Sequence, residues 1–335
     1  MTSIHATART TSHQQRIWSL AMLASCCLFL CSVRLPAQTT PAERLTHAYE
    51  LERAGRSASA IPELQQLLKS GLLDDASRGK AWDILGLAYQ DEDDVTHARH
   101  AYEQSVRVLA KLPNSLSGYA MALDDFGQLY VNTGQFDTAM KLRTKALRLY
   151  TRVDDHAGMA RTASHLAGTA FSDGNVAKGR KFLKQAAEES ELANNLGEDD
   201  RAAIDSLNGW EAQLDGDVET SITSYARALA LVKERHGEEH LSTGWAYLLL
   251  GRARATAGQW TDALEAMRKG LAILDRTVGQ QNQHYLAAEI AYAQVLDAAG
   301  FHSEAATIRG EAQPLLKELS REPCSGCTVP AAAFQ

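Results

Sequence analysis

A glycine recurs at a nearly constant interval through most of this chain. Gly134, Gly174, Gly216, Gly258 and Gly300 follow one another at steps of 40, 42, 42 and 42 residues. In each unit a helix-like run precedes the glycine and a second helix-like run follows it, with an alanine five positions later in most units. A period near 40 residues is typical of repeat proteins, in which helical hairpins stack in a row. The spacing therefore predicts an array of hairpins instead of one globular core.

The composition favours an all-α protein. Alanine and leucine, which stabilise helices, are abundant, and the 335 residues include only 7 prolines. Hydrophobic residues make up 45% of the chain, which is enough for a continuous core along such an array. We therefore predict the fold class as all-α, in the form of an α-solenoid.

The first 37 residues have the pattern of an export signal. They hold three arginines, no acidic residue and an apolar segment over residues 17–33. The sequence Leu35-Pro36-Ala37 then resembles a signal-peptidase site with cleavage after Ala37. Because the style of this signal is bacterial, we predict an exported bacterial protein, periplasmic or secreted, from which residues 1–37 have been removed.

Two alternatives for the same segment stay open. Residues 17–33 are just long enough to remain in a membrane as an anchor. The sequence Leu23-Ala24-Ser25-Cys26 also resembles a lipoprotein cleavage box, which would place a lipid on Cys26. Either alternative would make the protein a membrane-anchored or lipid-anchored component of the cell envelope.

The charge of the chain argues against nucleic acid as a partner. The formal net charge is −7, and removal of residues 1–37 with their three arginines takes it to −10. Phosphate binding depends on clustered lysine and arginine side chains, which an acidic chain of this kind does not provide. We therefore expect a protein or peptide partner and no nucleic acid.

Seven units align on the residue at the turn between the two runs. These turn residues are Gly55, Asp93, Gly134, Gly174, Gly216, Gly258 and Gly300. The pattern is clearest in the second unit, whose spaced residues are Trp82, Leu85, Gly86, Tyr89, Ala98 and Tyr102. It returns in the third unit and in the sixth. The spacing resembles the tetratricopeptide repeat family, with its pattern W-x2-L-G-x2-Y-x8-A-x3-F-x2-A. The resemblance implies about seven helix-turn-helix hairpins that form a right-handed superhelix.

The period of about 42 residues is longer than the usual 34 of that family. Units five to seven therefore resemble the longer repeats of kinesin light chains, in which a G-x-x-H loop precedes the first helix, as in residues 237–240. The resemblance spans residues 42–320. Residues 321–335 carry no periodicity, and we predict a flexible tail there.

One string in the sequence matches a zinc-hydrolase motif. His236, Glu239 and His240 satisfy H-x-x-E-H, in which two histidines on one helix bind zinc and the carboxylate activates water. Gly237 interrupts the string, and the repeat register places it in a loop between two units. We therefore predict an inter-repeat loop without metal and keep a zinc-dependent hydrolase as a remote alternative.

Two other motifs carry weaker signals. Cys324 and Cys327 form a C-x-x-C pair in the tail, for which an inert or local disulfide, a metal site and a redox pair all stay open. The acidic run over residues 91–94 lacks the further ligands of a calcium loop and is predicted to be a solvated turn. No phosphate-binding loop, nucleophile elbow or cofactor motif is present in the sequence. We predict no catalytic residue and no cofactor.

The resemblance also implies a partner-binding groove, because the first helix of each repeat lines the concave face in this family. The inward positions carried onto this chain are Asp83, Gln90, Asp124, Asp125, Gln128, Asn132, Trp210, Trp245, Arg252 and Gln294. The two tryptophans are either packing residues or anchors for a bound segment, since Trp and Arg dominate interface hot spots.

The three aspartates indicate the chemistry of the partner. Family members that clamp a carboxylate use Lys and Asn at inward positions, whereas Asp83, Asp124 and Asp125 would repel one. We therefore expect a non-catalytic scaffold that binds a basic or polar segment in its groove.

Overall fold

The computed structural model describes residues 39–319. Within that range the chain forms fourteen α-helices and no strand. The helices, numbered in chain order, are α1 Pro41–Arg53, α2 Ser57–Ser70, α3 Asp75–Asp91, α4 Val95–Leu109, α5 Leu116–Asn132, α6 Phe136–Arg152, α7 His156–Ser172, α8 Val176–Leu192, α9 Glu198–Leu214, α10 Val218–His236, α11 Leu241–Thr256, α12 Trp260–Val278, α13 Gln283–Ala298 and α14 His302–Leu319.

Consecutive helices pair as seven antiparallel hairpins, which confirms the predicted α-solenoid. All seven predicted turn residues adopt the left-handed conformation, with φ between 57° at Asp93 and 90° at Gly300. This conformation ends the first helix of each hairpin, and glycine adopts it without a Cβ clash. The first, fourth, fifth and seventh units, whose sequence pattern is weaker, also form hairpins, and the first has the shortest helices, of 13 and 14 residues.

The fifth hairpin shows how the sequence closes such a turn. The Gly216 N–H donates to the carbonyl of Gln213, and the Asp217 N–H donates to the carbonyl of Ala212. The Asp217 side chain then accepts a hydrogen bond from the Thr220 N–H and caps the second helix. Glycine therefore ends one helix and the next residue begins the other, which keeps the two helices antiparallel.

The array curves with the first helix of each hairpin on its inner side. Neighbouring first helices contact one another directly from α1 through α3, α5 and α7 to α9, and α11 contacts α13. The second helices of successive hairpins make no comparably extensive contact. In a curved row the helices on the concave side lie closer together than those on the convex side. The first helices therefore form the concave face. We call α1, α3, α5, α7, α9, α11 and α13 the inner row.

The curvature brings hairpins that are distant in sequence together. Arg53, at the end of α1, lies 3.3 Å from the Asp199 carboxylate at the start of α9. Within the fifth hairpin itself, His236 Nε2 at the end of α10 lies 2.5 Å from the same carboxylate. The contact between Arg53 of the first hairpin and Asp199 of the fifth thus closes one side of the groove along the inner row.

Small residues set the distance between the paired helices. A Cβ atom on Gly86 would lie 2.7 Å from the ring of Tyr102, which is fully buried and stacks on Phe126. In the sixth hairpin a Cβ atom on Gly270 would lie 2.7 Å from the backbone oxygen of Gly244. That contact is with the backbone of the facing helix, so rotation of a side chain cannot relieve it.

We expect Gly270→Ala to lower the free energy of unfolding by about 1–3 kcal/mol, because overpacking a close helix contact forces the backbone apart. Gly310→Ala on α14 is the matched control. It meets no atom within 4 Å, and the higher helix propensity of alanine should stabilise the protein by roughly 0.5–1 kcal/mol. Urea denaturation checks both values. Equal effects of the two substitutions would contradict the close contact at Gly270.

Several predictions from the sequence lie outside the described residues. These are the export segment, its lipidation alternative at Cys26, and the cysteine pair Cys324 and Cys327. Within residues 39–319, no helix combines the length and the apolar character that crossing a membrane requires.

Candidate functional site: the inner row

The predicted groove residues all lie on inner-row helices, but they differ in exposure. Asp83 and Asp124 are buried, with 5% and 2% of their surface exposed. Gln294 is exposed. The remaining seven are half-buried: Gln90, Asp125, Gln128, Asn132, Trp210, Trp245 and Arg252.

Asp124 is the centre of a buried polar network. Its Oδ1 accepts a hydrogen bond from Arg143 Nε at 3.1 Å. Its Oδ2 accepts one from the Thr162 hydroxyl at 2.8 Å and lies 3.0 Å from His165 Nδ1. Burial alone would raise the pKa of Asp124, but the facing His165 and Arg143 outweigh it and hold the pKa well below its ordinary value. Asp124 is therefore ionised, fully paired and closed to a ligand.

Arg143 connects this network to the groove. Its guanidinium also donates to the His165 carbonyl at 3.0 Å and to Gln128 Oε1 at 2.6 Å, and it contacts the Thr169 hydroxyl. Gln128 in turn donates to Asn132 at 2.7 Å. The predicted groove residues Gln128 and Asn132 are thus held by an arginine that belongs to α6, the outer helix of the hairpin.

Arg143 was not among the residues predicted for the groove, although the repeat pattern carries a signal. Arg143 stands four residues after Ala139, where the pattern has an aromatic residue and the second hairpin has Tyr102. Gly127 leaves room for the Arg143 side chain, in the same way that Gly86 leaves room for Tyr102. A Cβ atom on Gly127 would lie 2.9 Å from Arg143 Cγ. A charged residue at a buried aromatic position indicates an internal partner.

Three other carboxyl groups, on three neighbouring helices, influence one another's pKa. Glu52 comes from α1, Asp83 from α3 and Asp125 from α5, and we call them the carboxyl cluster. Burial and the charge of Asp125 raise the pKa of the Asp83 carboxyl group. Asp83 Oδ1 is buried and has no hydrogen-bond partner in the described part of the chain. The pKa of the buried Tyr102 phenol is raised by burial and by the charges of Asp125 and Asp83.

Burial and mutual repulsion keep this cluster partly protonated. Burial raises the pKa of Glu52 to about 7, and the charges of Asp91 and Asp125 add to the shift. Burial also raises the pKa of Asp125 to about 6, with the adjacent Asp124 as the second cause. The pKa of Asp83 lies well above its ordinary value, because its buried side chain faces Asp125. The cluster therefore holds protons near neutral pH.

Glu52 was not among the residues predicted for the groove. It stands three residues before the turn residue Gly55, as Gln90 stands three residues before Asp93. The same register that selected Gln90 in the second unit therefore selects Glu52 in the first. The weak sequence pattern of the first unit hid this correspondence.

The two tryptophans of the groove are packed against neighbouring rings. Trp210 lies against Phe171, with 5.3 Å between the ring centroids. Trp245 meets His284 edge-on at 6.0 Å and lies against the core of the last two hairpins. Burial lowers the pKa of Arg252, which lies near Tyr225. Both tryptophans thus have a packing role, and both are half-buried.

The H-x-x-E-H string forms the predicted loop between two hairpins. His236 ends α10, Gly237 has φ 87°, and His240 caps α11. The imidazole rings of His236 and His240 stack at 4.3 Å, and Glu239 pairs with Arg276. Within residues 39–319 no group of three or more His, Cys, Asp or Glu side chains is arranged to hold a metal ion. The string therefore connects two repeats, with its carboxylate turned toward Arg276.

The comparison with known proteins agrees with this geometry. Residues 212–276 match a family model described as a tetratricopeptide repeat. The array as a whole has the fold of tetratricopeptide-repeat solenoids. The resemblance predicted from the sequence is thereby confirmed, and the period of about 42 residues is present in the helices.

Several solved structures share the fold at low sequence identity. A Rap protein in complex with Competence and Sporulation Factor matches with a TM-score of 0.61 and 15% identity, over 85% of this chain and 78% of that chain. Cut9 in the Cut9–Hcn1 hetero-tetramer assembly matches with 0.59 and 18% identity, over 89% and 52%. BtubC from P. vanneervenii matches with 0.53 and 21% identity, over 69% and 92%.

One curated relative also matches. The clustered mitochondria protein homolog of Xenopus tropicalis is 23% identical over 152 residues. The aligned region is 45% of this chain and only 12% of that relative. This similarity extends over a small part of a much longer protein.

Proposed function

We propose that this protein is an exported, non-catalytic scaffold that binds a peptide or protein segment in the groove of its inner row. The observation that carries the proposal is the row itself, which presents half-buried polar side chains from successive helices along one concave face. A preformed concave surface of this kind suits an extended or helical segment, because little ordering is needed before binding. The tetratricopeptide-repeat fold is typically a scaffold without catalytic activity.

The similar solved arrays support a protein partner. The Rap protein was solved with Competence and Sporulation Factor, and Cut9 was solved with Hcn1. Two proteins with this fold thus hold another molecule or subunit. By analogy we assign the same general role to the present array, with a partner of different chemistry.

Export is part of the proposal and rests on residues 1–37. A membrane-anchored or lipid-anchored envelope component is the second candidate, favoured by the apolar length of residues 17–33 and by Cys26. Mass spectrometry of the N-terminus separates the forms. We expect a chain that begins after Ala37. An intact N-terminus would indicate the anchor, and a lipid on Cys26 would indicate the lipoprotein.

Photo-crosslinking tests the groove directly. We expect a benzoyl-phenylalanine residue at Asn132 or at Gln294 to form discrete crosslinks to a partner in cells, because both positions lie on the inner row. Lys184 on the outer helix α8 is the control, since its side chain is 80% exposed. These positions avoid the loss of packing that Trp210→Ala or Trp245→Ala would cause. Crosslinks from Lys184 and none from the inner row would contradict the proposal.

A further inference from the structure

We propose that the outer face of the second to fourth hairpins is a docking surface for a membrane that carries anionic lipid headgroups. This surface belongs to the second helices of the hairpins, whereas the inner row consists of the first helices. The inference therefore goes beyond groove binding and does not depend on it. We call this surface the basic face and define it by the exposed cations of α4, α6 and α8 and the loop after α4.

Helix α6 provides the centre of the basic face. Lys141, Lys145, Arg148 and Arg152 follow one another at intervals of four, three and four residues, which places them in one stripe along the helix. All four side chains are exposed. The stripe is roughly 17 Å long, given a rise of about 1.5 Å per residue. Asp137 in the first turn is the one acidic residue of this helix.

The neighbouring outer helices extend the stripe into a face. Val106 of α4, Leu142 of α6 and Phe182 of α8 pack against the same hydrophobic cluster, so the three helices lie side by side. The further exposed cations are Arg99 and Arg107 on α4, Lys111 in the loop after it, and Lys178, Lys181 and Lys184 on α8. The exposed acids of the three helices are fewer: Glu103 on α4, Asp137 on α6, and Glu188 and Glu191 on α8.

The cations of the α6 stripe are not neutralised by carboxylates of the protein. Within residues 39–319 none of the four forms an ion pair, and Lys145 donates to the Tyr119 hydroxyl. On α12, by contrast, Lys269 pairs with Glu265 at 2.8 Å, and Arg276 also pairs with a carboxylate. Positive charge is thus concentrated on one side of a chain whose formal net charge is −7.

The composition of the basic face favours a membrane over a protein partner. Protein interfaces have an apolar centre and are depleted of lysine. Helices α4 and α6 expose no large apolar side chain, and six of the ten exposed cations of the basic face are lysines. A lysine ammonium is a mobile point charge, which suits mobile headgroups better than a fixed pocket. A broad set of such charges binds an anionic bilayer by summed attraction.

The position of the basic face is compatible with both proposals. Export, which is part of the proposed function, would place the face beside a membrane and away from nucleic acid. Because the basic face and the inner row belong to different helices of each hairpin, docking on a membrane leaves the groove open to its partner.

Vesicle co-sedimentation of the full-length chain tests the docking surface. One set of vesicles is pure phosphatidylcholine, and the other is an equal mixture of phosphatidylcholine and phosphatidylglycerol. Residues 1–37 are the same in every variant, so differences between variants report on the array. We expect stronger binding to the anionic vesicles than to the neutral ones, and a steep loss of that excess between about 0.05 M and about 0.5 M sodium chloride.

Replacement of all four α6 cations by glutamine should weaken binding to the anionic vesicles about 10- to 100-fold. Each basic residue near an anionic surface strengthens binding about fivefold, and the four do not all reach the surface at once. The matched control replaces four exposed cations of α10 and α12 by glutamine, namely Arg227, Arg235, Lys269 and Arg276. It changes the net charge equally and should leave binding nearly unchanged, because screening limits the reach of each charge.

A charge-conserving variant separates charge from folding. The combination Lys141→Arg, Lys145→Arg, Arg148→Lys and Arg152→Lys keeps every positive charge of the stripe and should retain binding. Circular dichroism melting of each variant verifies that weaker binding does not reflect unfolding.

The remaining outcomes would overturn the docking surface. These are equal binding to neutral and anionic vesicles, and equal losses in the α6 variant and its control. A labelled DNA duplex that binds more tightly than the vesicles, with the same dependence on the α6 cations, would indicate nucleic acid instead. Binding of poly-glutamate without binding of vesicles would indicate an acidic protein. The inner-row crosslinks test groove binding separately, so either proposal can fail without the other.

Discussion

Replacement of Arg143 by methionine is expected to lower the free energy of unfolding by about 3–5 kcal/mol, because it leaves the buried Asp124 carboxylate without its main cation. Both side chains are only 2% exposed, so water cannot take the place of the guanidinium. The substitution also frees Gln128 and the carbonyl of His165 from their donor. Urea denaturation of wild type and variant at neutral pH measures the loss.

Two further variants show whether the loss arises from the buried pair. Arg148→Met on the same helix removes an exposed arginine and should change stability by less than about 0.5 kcal/mol. Asp124→Asn combined with Arg143→Met should recover part of the loss, because the amide removes the unpaired charge. A loss with Arg148→Met as large as that with Arg143→Met would contradict the special role of Arg143.

The repeat register was predictable from the sequence because it depends on local spacing. A left-handed turn residue at Gly134 or Gly258 requires no knowledge of the rest of the fold, and the helices on either side follow from the same pattern. The loop around Gly237 was predictable for the same reason. A helical zinc motif cannot continue through a residue at which the repeat ends a helix.

The partners and the pKa values of Asp124 and Asp125 were not predictable from their positions in the sequence. The two residues are adjacent in sequence and both were predicted to face the groove. Asp124 meets Arg143 and is held ionised, whereas Asp125 meets Asp83 and has a raised pKa. The difference depends on which side chains the neighbouring helices bring to each carboxyl group. Those contacts are fixed by the curvature of the array and by an arginine in an aromatic position.

The two sites complement each other in the centre of the inner row. The network around Asp124 links α5, α6 and α7 with charges that balance internally, and it gives the groove a rigid wall. The carboxyl cluster next to it consists of groups on α1, α3 and α5 whose raised pKa values keep them partly protonated near neutral pH. The two sites therefore differ in how burial of a carboxyl group is compensated: an arginine does so at Asp124, and protonation does so in the carboxyl cluster.

The carboxyl cluster should make the protein less stable as the pH rises. An acid whose pKa is raised by folding binds more protons in the native state than in the unfolded state, so stability falls with pH between the two pKa values. For Glu52 this window runs from the ordinary pKa of 4.5 to about 7, and for Asp125 from 3.8 to about 6. Asp124 acts in the opposite direction, since its lowered pKa contributes stability that is lost only in stronger acid.

We therefore expect the double variant Glu52→Gln/Asp125→Asn to be more stable than wild type at about pH 8, by on the order of 3 kcal/mol, and to differ little from it near pH 4. Urea denaturation across this range measures the difference between the two proteins, in which the contribution of the histidines cancels. Glu103→Gln should give a constant difference near zero. A double variant that is less stable than wild type at pH 8 would mean that the cluster stabilises the fold instead of storing unfavourable charge. In that case the contacts of the carboxyl groups would outweigh the cost of burying them.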